Sequence, residues 1–240
     1  VGVDDGDKAI AIVNTLMYYH PAFLALSSSS PFYESDDTGL ASSRTTVLEA
    51  MPTAGFPHLL SGWDEFAAMY DSLLQAGAIR GIREFWWDVR PHPDFGTVEL
   101  RMCDGLATLD EIASVAALAQ CLVTHIGEMI DAGTPIQTPP RWILRENKWL
   151  AARYGLDAPI VTDVVGHRQV VRDAVLDLVE MLAPMAARLG CSDELANVAR
   201  ILDHGASYER QRRVFARTGS LASVVDNLAT ELETGRPNRS

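Results

Sequence analysis

Hydrophobic and polar positions follow two regimes in this chain: one short stretch of strand-like alternation and a long succession of helical periods. Alternation is sharpest over residues 84–104, EFWWDVRPHPDFGTVELRMCD. Side chains alternate along a strand, so a β-hairpin here sets Glu84, Trp86, Asp88 and Arg90 on one face of its first strand. Thr97, Glu99, Arg101 and Cys103 share the matching face of the second, and Val98, Leu100 and Met102 point the other way into a core. With 91–96 as the turn and symmetric pairing, Asp88 lies opposite Glu99. Directly opposed like charges destabilise a sheet unless something cationic lies between them. A divalent metal or the neighbouring arginines would supply it.

The helical periods begin with a helix over 7–19, started by Asp4 and Asp5 as N-cap and first-turn acids and ended near Pro21. A second helix is predicted over 63–75, with Asp64 and Glu65 in its first turn. Residues 109–130 are long and apolar behind Asp110 and Glu111, the pattern of a buried helix packed on a sheet. Pro139 and Pro140 open a helix through Arg153 that Gly155 closes. Further helices fit 167–189, 192–202, 207–217 and 220–232, punctuated by Gly190, Gly205 and Gly219. Strands followed by a run of helices give an α+β class, with helices covering an antiparallel sheet.

Three segments fall outside that scheme. Residues 27–44, SSSSPFYESDDTGLASSR, have neither period and are too long for an ordinary connection; such loops often carry function. The opening VGVDDGDKAI reads as the end of a strand running into a helix, and a strand needs partners, so further sequence is expected upstream. Residues 235–240 are expected to be a disordered tail.

The 240 residues are 48% hydrophobic and 22% charged, enough for one large domain or two small ones. A net charge of -12 excludes a nucleic-acid partner, which demands clustered positive surface. Any anion site must therefore be local. Cys103, Cys121 and Cys191 are odd in number and far apart, suggesting neither a disulfide framework nor a zinc site, and with them a reducing, cytoplasmic setting. No apolar run is read as approaching the roughly twenty residues of a membrane span, and no signal segment opens the chain.

Hard divalent cations take oxygen ligands, and nucleotide enzymes use one or two protein carboxylates plus phosphate oxygens. Glu99 is the best ligand in this sequence. Arg101 could hold a phosphate oxygen bidentately, and Arg90 could do the same or pair with Asp88. The plain alternative is a solvated face with surface salt bridges; two tryptophans beside the carboxylates favour partial enclosure, where pKa values are set. Cys103 reads better as a small buried thiol. Arg44, after the Ser-rich loop, could clamp a carboxylate or lie free on the surface. Arg141, Arg145 and Lys148 form a basic stripe, more simply read as a solvated helix face. Arg210, Arg213 and Arg217 could reach phosphate or pair with local acids. The histidines lack ligand spacing, and no GxxxxGK[ST], GxGxxG or GxSxG is present.

The block WWDVRPHPDFGTVELRMCDGLATLDEI resembles the most recognisable motif of the type 2 glutamate–cysteine ligases, also described as bacterial carboxylate–amine ligases. VGVDDGDKAI, ENKWLAARYGLDA and SYERQRRVFARTGSLASVVDNLATEL are similar to further family blocks, so the likeness runs over nearly the whole chain. It implies a glutamine-synthetase-like fold, here a partial antiparallel sheet covered by many helices in a single catalytic domain over 1–234. It also implies an ATP- and Mg²⁺-dependent ligase that activates the γ-carboxylate of glutamate as an acyl phosphate for attack by an amine such as that of cysteine. By motif position, Glu99 is the implied metal ligand and Arg101 a contact to the transferring phosphoryl group. Asp88 and Arg90 are implied active-site residues, Arg44 a substrate-carboxylate contact, and Asn147 and Arg153 residues that help close the site. The family's His-x-His before Val-Gly-Val, and the long region preceding it, lie outside this sequence. The expectation is therefore a truncated form, or a partner chain or second copy that completes the sheet, with a non-catalytic helical subunit as the alternative.

Overall fold

The computed structural model describes residues 1–136 and 138–238. Asp5 caps helix α1 (Gly6–Ser27), its carboxylate accepting the Lys8 N–H at 2.8 Å. The helix does not end near Pro21 but continues for six residues beyond it. An interior proline costs about 3 kcal/mol. Phe23, Leu24 and Leu26 beyond it are fully buried, and burial of each large side chain returns about 1.5–3 kcal/mol.

A short hairpin follows, β1 (Phe32–Tyr33) with β2 (Asp36–Asp37), turned by Glu34 and Ser35 in the left-handed region. The Ser-rich segment is thus partly ordered as strand. It runs into α2 (Ser43–Leu48), which Ser42 caps, and then to α3 (Trp63–Gln75), which matches its predicted range. The hairpin comes next, β3 (Val89–His92) against β4 (Thr97–Leu100), joined by a 3-10 turn over Pro93–Phe95 and by Gly96 at φ 59°. Its first strand is shorter than the alternation suggested, because Ile82–Glu84 form a 3-10 turn. Val1–Val3 lie along the free side of β4, with Gly2 paired to Thr97 and the Val3 N–H donating to Gly96 O, as the strand-then-helix reading requires.

Helices α4 (Leu109–Asp131) and α5 (Arg141–Tyr154) agree with expectation to within a residue or so. Residues 167–170 do not open the next helix. A third hairpin, β5 (Pro159–Val161) with β6 (Arg168–Val170), takes them, and α6 (Val171–Leu189) begins after it. The segment 192–202 divides into α7 (Ser192–Ala196) and α8 (Val198–His204), followed by α9 (Ser207–Thr218) and α10 (Leu221–Thr234). Gly155 adopts φ 58°, and a Cβ there would meet the Tyr208 ring at 2.5 Å, so α9 seats directly on the end of α5. Gly235 ends α10, and the Asn238 N–H donates to Glu231 Oε1. Residues 239–240 of the expected tail lie outside the described residues.

Helix α1 packs against α4, α5, α6 and the β3–β4 hairpin, so the main core forms around it. Ile12, Leu16 and Phe23 of α1 meet Val89 and Val98 of the hairpin and Leu118, Leu122 and Ile126 of α4. A second, aromatic cluster of Phe66, Phe85 and Trp87 lies beneath α3, with Phe85 and Trp87 ring centroids 4.3 Å apart. By length and composition, α1 and α4 are both apolar enough to cross a membrane, which corrects the expectation of no span-length run. Their apolar windows are 72% and 50% buried inside the fold, as core helices are. The architecture is α+β, small antiparallel hairpins among many helices.

Candidate active site

The β3–β4 register pairs Arg90 with Glu99 and Val89 with Leu100. Asp88 is therefore not opposite Glu99, which corrects the symmetric pairing. Its backbone carbonyl accepts both the Arg101 and the Met102 N–H groups, at 2.6 and 3.1 Å, a two-against-one pairing of the kind that makes a β-bulge. A bulge bends the strand and re-aims side chains, so strict alternation stops at Val89. Beyond it, Trp87 enters the aromatic core while Trp86 stays 39% exposed.

Glu99 carries the centre of the outer face. Its Oε2 accepts from Arg90 Nε at 2.8 Å and its Oε1 from Arg101 Nη1 at 2.9 Å. Burial pushes its carboxyl up, but the Arg90 and Arg101 guanidinium groups outweigh this and hold it below the usual carboxylate range. Arg90 is buried and also donates through Nη1 to Ile82 O and Phe85 O, so it fixes Glu99 to the chain beneath. Arg101 is freer, 22% exposed and lying over the Trp86 ring at 5.1 Å. These side chains, with Arg83, His92, Phe95 and Thr97, line an open cavity of about 410 Å³. His92 is buried, stacks on Phe95 at 4.5 Å between ring centroids, and has no hydrogen-bond partner at Nδ1 among the described residues. Sequence reasoning read His92 as a turn residue, and nothing in its local pattern signals more.

Asp88 belongs to a different group beneath the hairpin. Its Oδ2 accepts from Lys148 Nζ at 2.6 Å, and His20 Nε2 of α1 lies 3.3 Å from the same oxygen without hydrogen-bond alignment. Burial pushes the Asp88 carboxyl up, yet His20 and Lys148 outweigh it and bring it down to about 2. Burial lowers the pKa of His20, leaving it neutral at neutral pH. Lys148 is itself buried and also meets Glu49 Oε1 at 2.7 Å. It is therefore not part of a solvated stripe, whereas Arg141 and Arg145 are exposed. All three line a second cavity of about 430 Å³, together with Glu49, Phe56 and Trp149.

The remaining expected residues divide. Arg44 Nη2 donates to Arg101 O at 3.3 Å, and Nη1 lies 3.6 Å from Asp104 Oδ1, so Arg44 stands beside the strand that carries Glu99 and Arg101. Its side chain is 37% exposed, so the guanidinium keeps one side open to a further anion. Asp104, which the sequence reading passed over, is buried and gathers the Ser-rich loop through the Ser29 N–H and the hydroxyls of Ser30 and Ser42. Asn147 is buried and exchanges two hydrogen bonds with the Val161 backbone, at 2.8 and 2.7 Å, which ties α5 to β5. Arg153 lies over the Tyr154 ring at 5.4 Å and beside Gly39 of the Ser-rich loop. Arg210 chelates Glu111 and Glu231 in a buried triad joining α4, α9 and α10, which selects the local-acid reading over a phosphate contact.

Among the described residues, no group of three or more His, Cys, Asp or Glu side chains could hold a metal ion. Glu99 supplies one ionised carboxylate at the wall of the cavity on the outer face of the hairpin. A nucleotide-borne magnesium ion would take one such protein carboxylate, with phosphate oxygens and waters as its other ligands, and Glu99 would supply it.

The family model described as glutamate–cysteine ligase family 2 matches residues 1–227. The chain belongs to that family. A Frankia alni protein named "Putative glutamate–cysteine ligase 2-1" is 57% identical over 238 residues, covering 99% of this chain and 62% of its own length. A Thermobifida fusca protein named "Putative glutamate–cysteine ligase 2" is 51% identical over 237 residues, covering 99% of this chain and 59% of its own. The chain thus spans about three fifths of the length of these curated relatives. Within the family 2 chain, Glu99, Arg101 and Arg90 are brought together, Arg44 adjoins them, and Asp88 and Asn147 are engaged elsewhere.

Proposed function

We propose that this family 2 chain takes part in ATP-dependent formation of a γ-glutamyl amide, with the amine of cysteine as acceptor. The observation that carries this reading is Glu99, held ionised between Arg90 and Arg101 on the wall of an open cavity. Phosphoryl transfer needs positioned charge around the transferring group more than it needs a covalent nucleophile. In the proposed reaction a γ-carboxylate oxygen of glutamate attacks the terminal phosphorus of ATP, and ADP departs. The amine nitrogen then attacks the acyl carbon, phosphate leaves, and the amine proton passes to solvent.

Arg101 is assigned to the phosphoryl oxygens, since its guanidinium is partly exposed and is oriented by Glu99 on one side and the Trp86 ring on the other. Arg90 has its hydrogen bonds committed to Glu99 and two backbone carbonyls and acts as a positioning residue. Arg44, partly exposed beside Arg101, is assigned to a substrate carboxylate. Glu99 is the assigned contact to magnesium, which when bound neutralises phosphate charge. Asp88 supports the floor of the hairpin through Lys148. Arg153, beside the Ser-rich loop, is assigned to closure. The same reading places the protein in the cytoplasm.

Release of ADP that requires both glutamate and magnesium, and appearance of the γ-glutamyl amide when cysteine is added, test the assignment. Glu99→Gln should lower that release by about 10²–10³-fold with the fold retained, the loss typical of removing one preorganised electrostatic group. Unchanged release in this variant would refute the site.

A further inference from the structure

We propose that Cys121 and Cys191 form an oxidation site, a dithiol that a low-molecular-weight disulfide converts into an intramolecular bridge. Their Sγ atoms lie 3.6 Å apart although the residues are 70 positions apart in the chain. Sequence spacing gives no sign of the pair. Cys121 sits mid-way along α4 in the main core, fully buried, while Cys191 precedes α7 and is partly exposed. Closing a disulfide needs the sulfurs about 2.05 Å apart, a further approach of roughly 1.5 Å. Cys191 can make that approach, because it follows the left-handed Gly190 at the end of α6 and sits in a connection between helices. The helices that carry the pair, α4, α6 and α7, already pack on one another. Cys103 lies apart from the pair, its Sγ 4.0 Å from Phe23 O.

The exposures set the order of events. The Cys191 thiolate attacks one sulfur of the external disulfide, forming a mixed disulfide and expelling one thiolate. Cys121 then loses its proton to solvent and attacks the Cys191 sulfur, expelling the second thiolate. Two protein thiols are oxidised and one external disulfide is reduced to two thiols. Burial, with the neighbouring Cys191, pushes the Cys121 thiol up to about 12, so closure is the slower step and quickens as pH rises.

The test incubates the whole chain with oxidised glutathione and follows intact mass, followed by non-reducing digestion with a glutamate-specific protease. A glutathione adduct should appear first and give way to a product about 2 Da lighter than the reduced chain, two hydrogens having been lost. The peptides spanning 112–128 and 181–194 should then migrate as one species, separating Cys121 from Cys103. In Cys121→Ser the adduct should persist on Cys191, and in Cys191→Ser no rapid adduct should form. A persistent adduct on the unsubstituted chain, or a bridge that includes Cys103, would overturn the proposal. So would rapid bridging in either variant.

Discussion

Replacing Asp88 with Asn gives the sharpest check on the ion pair beneath the hairpin. Asp88 Oδ2 and Lys148 Nζ are 2.6 Å apart, with the two side chains only 14% and 4% exposed. Burial opposes ionisation of Asp88, but its His20 and Lys148 neighbours bring the carboxyl from 3.8 down to about 2. His20, 3.3 Å from Asp88 Oδ2, supplies the larger share of that lowering and Lys148 the rest. A carboxyl lowered in the folded state adds stability that is fully present above its unfolded pKa and is lost as pH falls through the folded one. From 3.8 to about 2, that amounts to about 2 to 3 kcal/mol at pH 7, roughly half of it at pH 3, and little below pH 2. Asn cannot ionise, and Asp88→Asn also leaves the buried Lys148 with Glu49 alone. Urea unfolding at pH 7 should show the variant about 2 to 4 kcal/mol less stable, with the gap shrinking by about half at pH 3. A gap of equal size at both pH values, or none at either, would refute the pairing of an ionised Asp88 with His20 and Lys148.

Arg210→Met strands the buried carboxylates of Glu111 and Glu231 and should cost at least about 3 kcal/mol, lowering the thermal midpoint by about 6–12 °C in a chain of this size; a shift under a degree would contradict the triad. Asn147→Ala removes two buried hydrogen bonds to Val161 and should cost about 2 kcal/mol in urea unfolding, whereas an unchanged midpoint would return Asn147 to a purely substrate-facing role. Trp86→Ala removes the ring over which Arg101 lies and should weaken magnesium–ATP binding only a few-fold, in keeping with about 0.5–1 kcal/mol for an exposed cation–π contact. A tenfold or greater loss there would mean that Trp86 itself touches the nucleotide.

Local pattern exposed those features that depend on local physics. Helix α3 was legible to the residue, because first-turn acids and apolar spacing act within a few turns. The common face of Arg90, Glu99 and Arg101 also followed from alternation. Asp88 did not, because the bulge at Arg101 and Met102 resets the phase, and a bulge is decided by pairing across the hairpin. Helix α1 passed through Pro21 for a tertiary reason, the burial of Phe23, Leu24 and Leu26. Lys148 looked like one member of a solvated stripe, and only packing against Asp88 and Glu49 shows it buried. The nearness of Cys121 and Cys191 likewise arises from α4, α6 and α7 packing together, which no spacing in the chain encodes.

Calorimetric titration of the chain with magnesium–ATP, in parallel with Arg101→Ala, addresses most directly whether the outer face of the hairpin handles nucleotide phosphates. The expected result is saturable binding by the native chain and a loss of tenfold or more in the variant, with matching urea midpoints, as a charged hydrogen-bonding partner worth about 1.5–3 kcal/mol requires. Equal affinity in the two proteins would contradict the assignment of Arg101 and Glu99 to phosphoryl transfer.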